Sequence, residues 1–116
     1  MSLNKVELIG RIGNIATHAG ENKRVEASIA VDAGYRDDKS GDWVDRTDWI
    51  QVQSWNPNIV ERIGEKYRKG DLVYCEAALK PWSKGEGDDK RYGMNINVNV
   101  FRLLARPNNG TSDNDA

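Results

Sequence analysis

Arg46 to Trp55 reads R-T-D-W-I-Q-V-Q-S-W, and its alternation decides how the rest of the chain is read. At a period of two, Ile50, Val52 and Ser54 fall on one face and Trp49, Gln51, Gln53 and Trp55 on the other, the pattern of a strand with one buried side. The outward face is unusual. Where solubility alone would select Thr, Lys or Glu, it carries two indoles six residues apart, about 20 Å along a strand rising ~3.3 Å per residue. Flat aromatic plates separated by amide side chains make a platform on which unpaired nucleobases can stack. An outward Trp equally suits a second hydrophobic layer or a subunit contact, so the decision rests on where the other aromatics fall.

Upstream, Arg24 to Ala33 alternates cleanly, with Val25, Ala27, Ile29 and Val31 inward and Glu26, Ser28, Ala30 and Asp32 outward. A strand of this length suits a sheet that coils round a small barrel. Between the two strands, G-Y-R-D-D-K-S-G-D-W-V-D-R is the charged tip of a long hairpin, with Tyr35 and Trp43 on its flanks. Aromatics in so polar a loop are either stacking surfaces or cross-strand partners of each other. Leu3 to Gly10 predicts a first strand around Val6 and Leu8. Gly10 and Gly13 then bend the chain or admit a bulge, and residues 14–22 form a polar connection holding His18.

Downstream, Asn56 as cap, Pro57 in the first turn, Ile59, Ile63 and Tyr67 at four-residue spacing and Gly70 as terminator predict a short helix with Tyr67 in the core. Its basic end, Lys66, Arg68 and Lys69, reads as solvated. Asp71 to Lys80 predicts a fourth strand, Val73, Cys75, Ala77 and Leu79 against Leu72, Tyr74, Glu76, Ala78 and Lys80, with Trp82 beyond Pro81 on the latter parity. A glycine-punctuated loop, S-K-G-E-G-D-D-K-R-Y-G, leads to a fifth strand, Tyr92 to Leu104. There Met94, Ile96, Val98 and Val100 alternate with Asn95, Asn97, Asn99 and Phe101.

A chain of 116 residues makes one domain with a modest core. A formal net charge of −1 excludes capture of nucleic acid by bulk positive charge, so any basic track is local. The mean hydropathy of −0.74 marks a very polar chain, yet its apolar residues cluster in strand-like patterns, so it folds. A single cysteine, Cys75, excludes an intrachain disulfide, and with His18 as the lone histidine no metal centre is expected. No cofactor is expected, and no nucleophile–base pair, acid pair or phosphate-cradling loop points to an enzyme. The N-terminus lacks an apolar signal region and no apolar run is long enough to span a membrane, which suits a reducing, cytoplasmic setting.

Three strands, a short helix and two more strands match an all-β, five-stranded Greek-key barrel, the OB-fold, with a helix between strands three and four and long hairpin loops. The expected division is residues 1–105 for the barrel and 106–116 for a short, disordered acidic tail.

These residues resemble the bacterial and phage single-stranded DNA-binding proteins. The likeness runs from about Asn4 to Leu104, through N-K-V-E-L-I-G-R-I-G, Y-R-D-D-K-S-G-D-W, R-T-D-W-I-Q-V-Q-S-W, Y-R-K-G-D-L-V-Y-C-E-A-A-L and K-P-W-S followed by D-K-R-Y. It implies base stacking on Tyr35, Trp49, Trp55 and Trp82, all four of which are aromatic in this chain. It also implies a homotetramer that binds and protects single-stranded DNA in replication, recombination and repair, inside a bacterium and on its nucleoid or on phage or plasmid DNA. The phosphate contacts are expected from Lys5, Arg11, Lys23, Arg24, Arg36, Arg46, Lys80, Lys84 and Arg91, with Glu86, Asp88 and Asp89 turning phosphates away from one side of the second hairpin. Family members usually recruit partner enzymes through an acidic extension closed by a bulky apolar residue. This sequence closes on Asp113-Asn114-Asp115-Ala116, so tail-mediated recruitment is not expected. The alternative is an OB-type adaptor of a replication-initiation complex, its aromatics buried in subunit contacts.

Overall fold

The computed structural model describes residues 1–107. The outward and inward faces of R-T-D-W-I-Q-V-Q-S-W fall as the alternation requires: Val52 and Ser54 are buried, while Trp49 and Trp55 stand exposed. Around this strand, β5 (Thr47–Ser54), close β1 (Val6–His18), β2 (Arg24–Asp32), β6 (Leu72–Lys84) and β7 (Arg91–Ala105), in the barrel order β1-β2-β5-β7-β6. Four of the joints are antiparallel, and the barrel closes where β5 meets β7 in parallel at Gln53 and Asn97. Two short strands, β3 (Tyr35–Arg36) and β4 (Trp43–Val44), pair as a ribbon beyond the ends of β2 and β5.

The core is filled from the inward parity of each strand: Ile12, Val25, Ala27, Ile29, Val52, Val73, Cys75, Ala77 and Val98. Helix α1 (Pro57–Lys66) plugs the barrel with Ile59, Val60 and Ile63. Asn56 caps it through a side-chain oxygen that accepts from the Asn58 N–H at 3.0 Å, and Pro57 stands in its first turn. The helix ends at Lys66, earlier than Gly70. Tyr67 leaves helical geometry to pack edge-on against Phe101 with ring centroids 4.9 Å apart, and its hydroxyl donates to the Phe101 carbonyl. Gly70 makes its turn at φ +92°, in the left-handed region that glycine enters at little cost.

Three sequence expectations change. The first strand continues to His18, because the connection expected over 14–22 in fact pairs with β2 from Ile15 to His18 after a bulge at Gly13 and Asn14. The fourth and fifth strands run on as one long arm, reaching Lys84 and starting at Arg91, with a short turn between. Pro81 is tolerated there because β1 pairs with β6 only as far as Ala77, so its missing N–H costs the barrel nothing. Phe101 does not share the asparagine face. Glu76 pairs with Val100 and Ala77 with Val98, so Asn99 is an extra residue, the parity of β7 inverts past it, and Phe101 enters the core at 2% exposure.

One buried carboxylate ties three parts together. Asp71, 1% exposed, accepts from the Arg68 N–H at 2.9 Å and from Arg106 Nη1 at 3.0 Å, while its own carbonyl accepts from the Ile12 N–H. The Arg106 guanidinium also donates to the Lys66 carbonyl, and the Pro107 ring lies against Gly70. The remainder of the acidic tail expected over 106–116 lies outside the described residues. Asp71→Ala leaves the half-buried Arg68 amide without its partner and removes a charge-assisted bond, so we expect it to lower unfolding free energy by about 2 kcal/mol in a urea titration. Arg106→Ala, at a half-exposed partner, is expected to cost clearly less.

Candidate nucleic-acid interface

Outward parity places side chains from four strands on one continuous surface. On β5 these are Trp49, Gln51 and Gln53, followed by Trp55. Ala30, Ser28 and Glu26 lie opposite them on β2, and Asn97 of β7 lies beside Gln53. Across β7 the same surface continues to β6, where Ala78 pairs with Asn97, Lys80 with Asn95, Trp82 with Gly93 and Lys84 with Arg91. The Gln53 amide donates to Asn97 Oδ1 at 3.2 Å, stitching the parallel joint on its outer side.

Two of the indoles on this surface, Trp49 and Trp82, sit on glycines. A side chain at Gly13 would collide with the six-membered ring of Trp49, and one at Gly93 with the indole of Trp82. With no Cβ beneath it, each ring can settle against backbone and keep its other side open: Trp49 is 63% and Trp82 41% exposed. The β1 bulge serves the first seat, since Gly13 and Asn14 stand opposite Ser28, whose hydroxyl accepts from the Asn14 N–H. Lys69 lines the same shallow hollow beside Trp49. By sequence it belongs to the basic helix end expected to be solvated, and only the turn after α1 carries it there.

Trp55 faces a larger groove of about 800 Å³ between α1 and the turn joining β1 to β2, lined among others by Lys23, Val60, Glu21, Glu61 and Glu65. Tyr35 is exposed on the β3–β4 ribbon, its backbone paired with Val44. Trp49, Trp55 and Trp82 thus share the outer surface of the sheet, whereas Tyr35 stands apart from them.

The cations divide into two groups. Lys5 lies 3.5 Å from Glu76, Arg24 2.9 Å from Glu26, and Arg46 3.1 Å from Asp48, so each has a carboxylate partner. Arg11 donates to the Gly70 carbonyl and Arg36 to that of Gly41. Lys23, Lys80, Lys84 and Arg91 have no ion pair within 4 Å among the described residues. Three of those four lie on the outward face of the β6–β7 arm, interleaved with Trp82. Basic and aromatic side chains alternate there, the arrangement that tracks a phosphate backbone while bases stack.

The Arg24 guanidinium, with His18 and Gln51 adding hydrogen bonds, holds the Glu26 carboxyl below its usual range against the opposing effect of burial. The Tyr74 hydroxyl lies 2.7 Å from a carboxylate oxygen of Glu7 and of Glu76, with its one proton shared between two acceptors, and these acceptors push its ionisation well up. Burial, and secondarily the Glu76 charge, pushes the Cys75 thiol up to about 12, so it is not a thiolate nucleophile at neutral pH.

A family model described as the single-strand binding protein family matches residues 3–104. The chain belongs to this family. It is 30% identical to single-stranded DNA-binding protein 1 of Chlorobaculum tepidum, over 98% of this chain and 72% of that protein. It is 31% identical to single-stranded DNA-binding protein 1 of Xylella fastidiosa, over 90% of this chain and 79% of that one. Among solved structures, a Plasmodium falciparum SSB in complex with ssDNA is similar at a TM-score of 0.71 and 28% identity, covering 90% of this chain and 97% of that chain. The OB-fold read from the strand order is the fold of this family.

The glycine seats can be tested without ligand. Gly93→Val is expected to displace the Trp82 ring, seen as a shift of its indole N–H resonance. It should leave barrel stability within about 1 kcal/mol, because the arm at that point has no third strand to disturb. An unmoved Trp82 resonance contradicts the seat.

Proposed function

We propose that this chain binds single-stranded DNA without sequence preference, as a non-catalytic homo-oligomer. It would shelter unwound strands during replication, recombination and repair in the cytoplasm of a bacterium. The observation that carries this is the outer sheet surface itself, with Trp49 and Trp82 seated on glycines, Trp55 just past the far end of β5, and the cations of the β6–β7 arm around Trp82. The related Plasmodium falciparum protein is bound to ssDNA in its structure, which supports the same ligand here.

The mechanism has two parts. Lys80, Lys84 and Arg91, joined by Lys23 and Lys69, neutralise phosphates and release counterions, giving affinity that falls with salt. The indoles take splayed bases, each contact contributing roughly 1–3 kcal/mol whatever the base, because every base has a π-face; Tyr35, on the other face of the ribbon, joins only if the strand wraps round the ribbon edge. Duplex DNA hides those faces, so the preference for single strands follows from stacking alone. Lys5, Arg11, Arg24, Arg36 and Arg46 would have to give up their present partners to join, and are weaker candidates.

Self-association has its own support. β1 pairs with β6 alone from Val6 to Ile9, which leaves that stretch of its other edge open, and Ile9 itself is 57% exposed. Exposed Leu103 and Leu104 add apolar surface at the end of β7. An open edge with apolar neighbours is covered by another chain more often than left wet. We expect a solution mass near four times 13.0 kDa. A monomer at micromolar concentration contradicts it.

Trp49→Ala and Trp82→Ala are each expected to weaken oligo(dT) binding by about tenfold, corresponding to one lost stacking contact, while thermal unfolding stays close to that of the parent. Binding should fall steeply with salt and be far weaker for duplex. Parent-like affinity in both variants would remove the sheet surface as the binding site.

A further inference from the structure

Trp43 is an aromatic whose role neither the strand pattern, which leaves stacking and cross-strand pairing with Tyr35 open, nor the family likeness fixes. The β2–β5 ladder runs from Val25–Ser54 to Asp32–Thr47, and the β3–β4 ribbon resumes it in the same register at Tyr35–Val44 and Arg36–Trp43. The two are bridged by the Ala33 N–H donating to the Arg46 carbonyl at 2.9 Å. In one unbroken register, residues two apart share a face. Trp43 therefore falls on the face of Trp49 and Trp55, at the same six-residue interval, and Tyr35 falls on the opposite face.

Its seat is also the same. The Trp43 indole occupies the space over Gly34, with ring atoms 2.6 to 3.1 Å from where a Cβ would stand, just as Trp49 covers Gly13 and Trp82 covers Gly93. Its Nε1–H donates to Asp45 Oδ1 at 2.9 Å, which fixes the ring's rotation, and 57% of the residue is exposed. A large ring held on one side and at one end, with the other side open, is prepared for a planar ligand at little entropic cost.

We propose that Trp43 is a further base-stacking site, which takes an unpaired nucleobase and carries the single-stranded DNA track from Trp49 out onto the β3–β4 ribbon. This rests on the outer sheet surface being the DNA-binding face. The charges indicate how the strand passes. Asp42 and Asp45 repel phosphates near the indole, while Arg36, cross-strand on the same face, spends one nitrogen on the Gly41 carbonyl and keeps others to donate. The backbone then runs on the Arg36 side, and the base lies over the ring.

The test follows the four indole N–H resonances of the ¹⁵N-labelled protein during titration with oligo(dT), alongside dissociation constants for Trp43→Ala and Trp43→Phe. The expected result is that the Trp43 resonance moves together with that of Trp49. Trp43→Ala should bind a long oligo(dT) about tenfold more weakly, and Trp43→Phe should keep most of the affinity. A Trp43 resonance that stays still while Trp49 moves overturns the proposal, even if Trp43→Ala binds poorly, since that combination marks a ribbon scaffold. Parent-like binding by Trp43→Ala overturns it as well. If no indole responds, the sheet surface is not the DNA face, and that reading fails together with this one.

Discussion

A single antiparallel register, running from Val25–Ser54 along β2 and β5 and out to Arg36–Trp43 on the ribbon, is the constraint on which the rest depends. A slip of one residue would exchange the faces of the strand, turning Trp49, Gln51 and Gln53 into the barrel and Ile50, Val52 and Ser54 out to water. The register is held from inside, by Val25, Ala27, Ile29 and Val52 at 1% exposure or less, so a dry interior fixes the geometry of a wet exterior. Packing of small apolar side chains on one face thus sets the spacing of the indoles on the other.

Outside the barrel the same economy recurs. A tryptophan on a sheet surface ordinarily lies over a neighbouring side chain and hides one edge of its ring. Here the neighbour is glycine, at Gly13 for Trp49 and Gly93 for Trp82, so the ring rests on backbone and presents its open side. Glycine in a strand weakens it, by loss of packing and a larger entropic cost. Both glycines stand where the ladder is already irregular or only two strands wide, at the β1 bulge and on the β6–β7 arm, where that weakness is least damaging.

Much of this was legible in the chain. Alternation gave the inward sets of β2 and β5 and that of β6 as far as Ala77, beyond which Leu79 is exposed on the arm, and Asn56, Pro57 and the Ile59–Ile63 spacing gave the helix. What escaped has identifiable causes. The bulge at Asn99 inserts one residue without any change in composition, so a strict period of two put Phe101 on the wrong face. Lys69 comes to Trp49 through a turn, and sequence distance holds no trace of it. The pairing of Arg24 with Glu26, of Arg46 with Asp48 and of Lys5 with Glu7 was legible and went unread, because residues two apart on a strand share a face. A cation in a strand has to be weighed with its second neighbours before it is assigned to a phosphate.

A protein with a net charge of −1 can still grip a polyanion if its charges are sorted. The barrel wall spends Lys5, Arg24 and Arg46 on carboxylates, and such exposed pairs contribute little to stability while cancelling field. The β6–β7 arm does the reverse, setting Lys80, Lys84 and Arg91 on one face while Glu86, Asp88 and Asp89 are confined to its tip. With a screening length of about 8 Å at physiological salt, a phosphate over the arm feels those three cations and hardly feels the paired charges of the barrel beyond. Local sorting also limits indiscriminate adhesion. A uniformly basic surface would hold duplex and single strands alike, whereas a short basic track leaves the decision to the rings, and only an unpaired base can reach them.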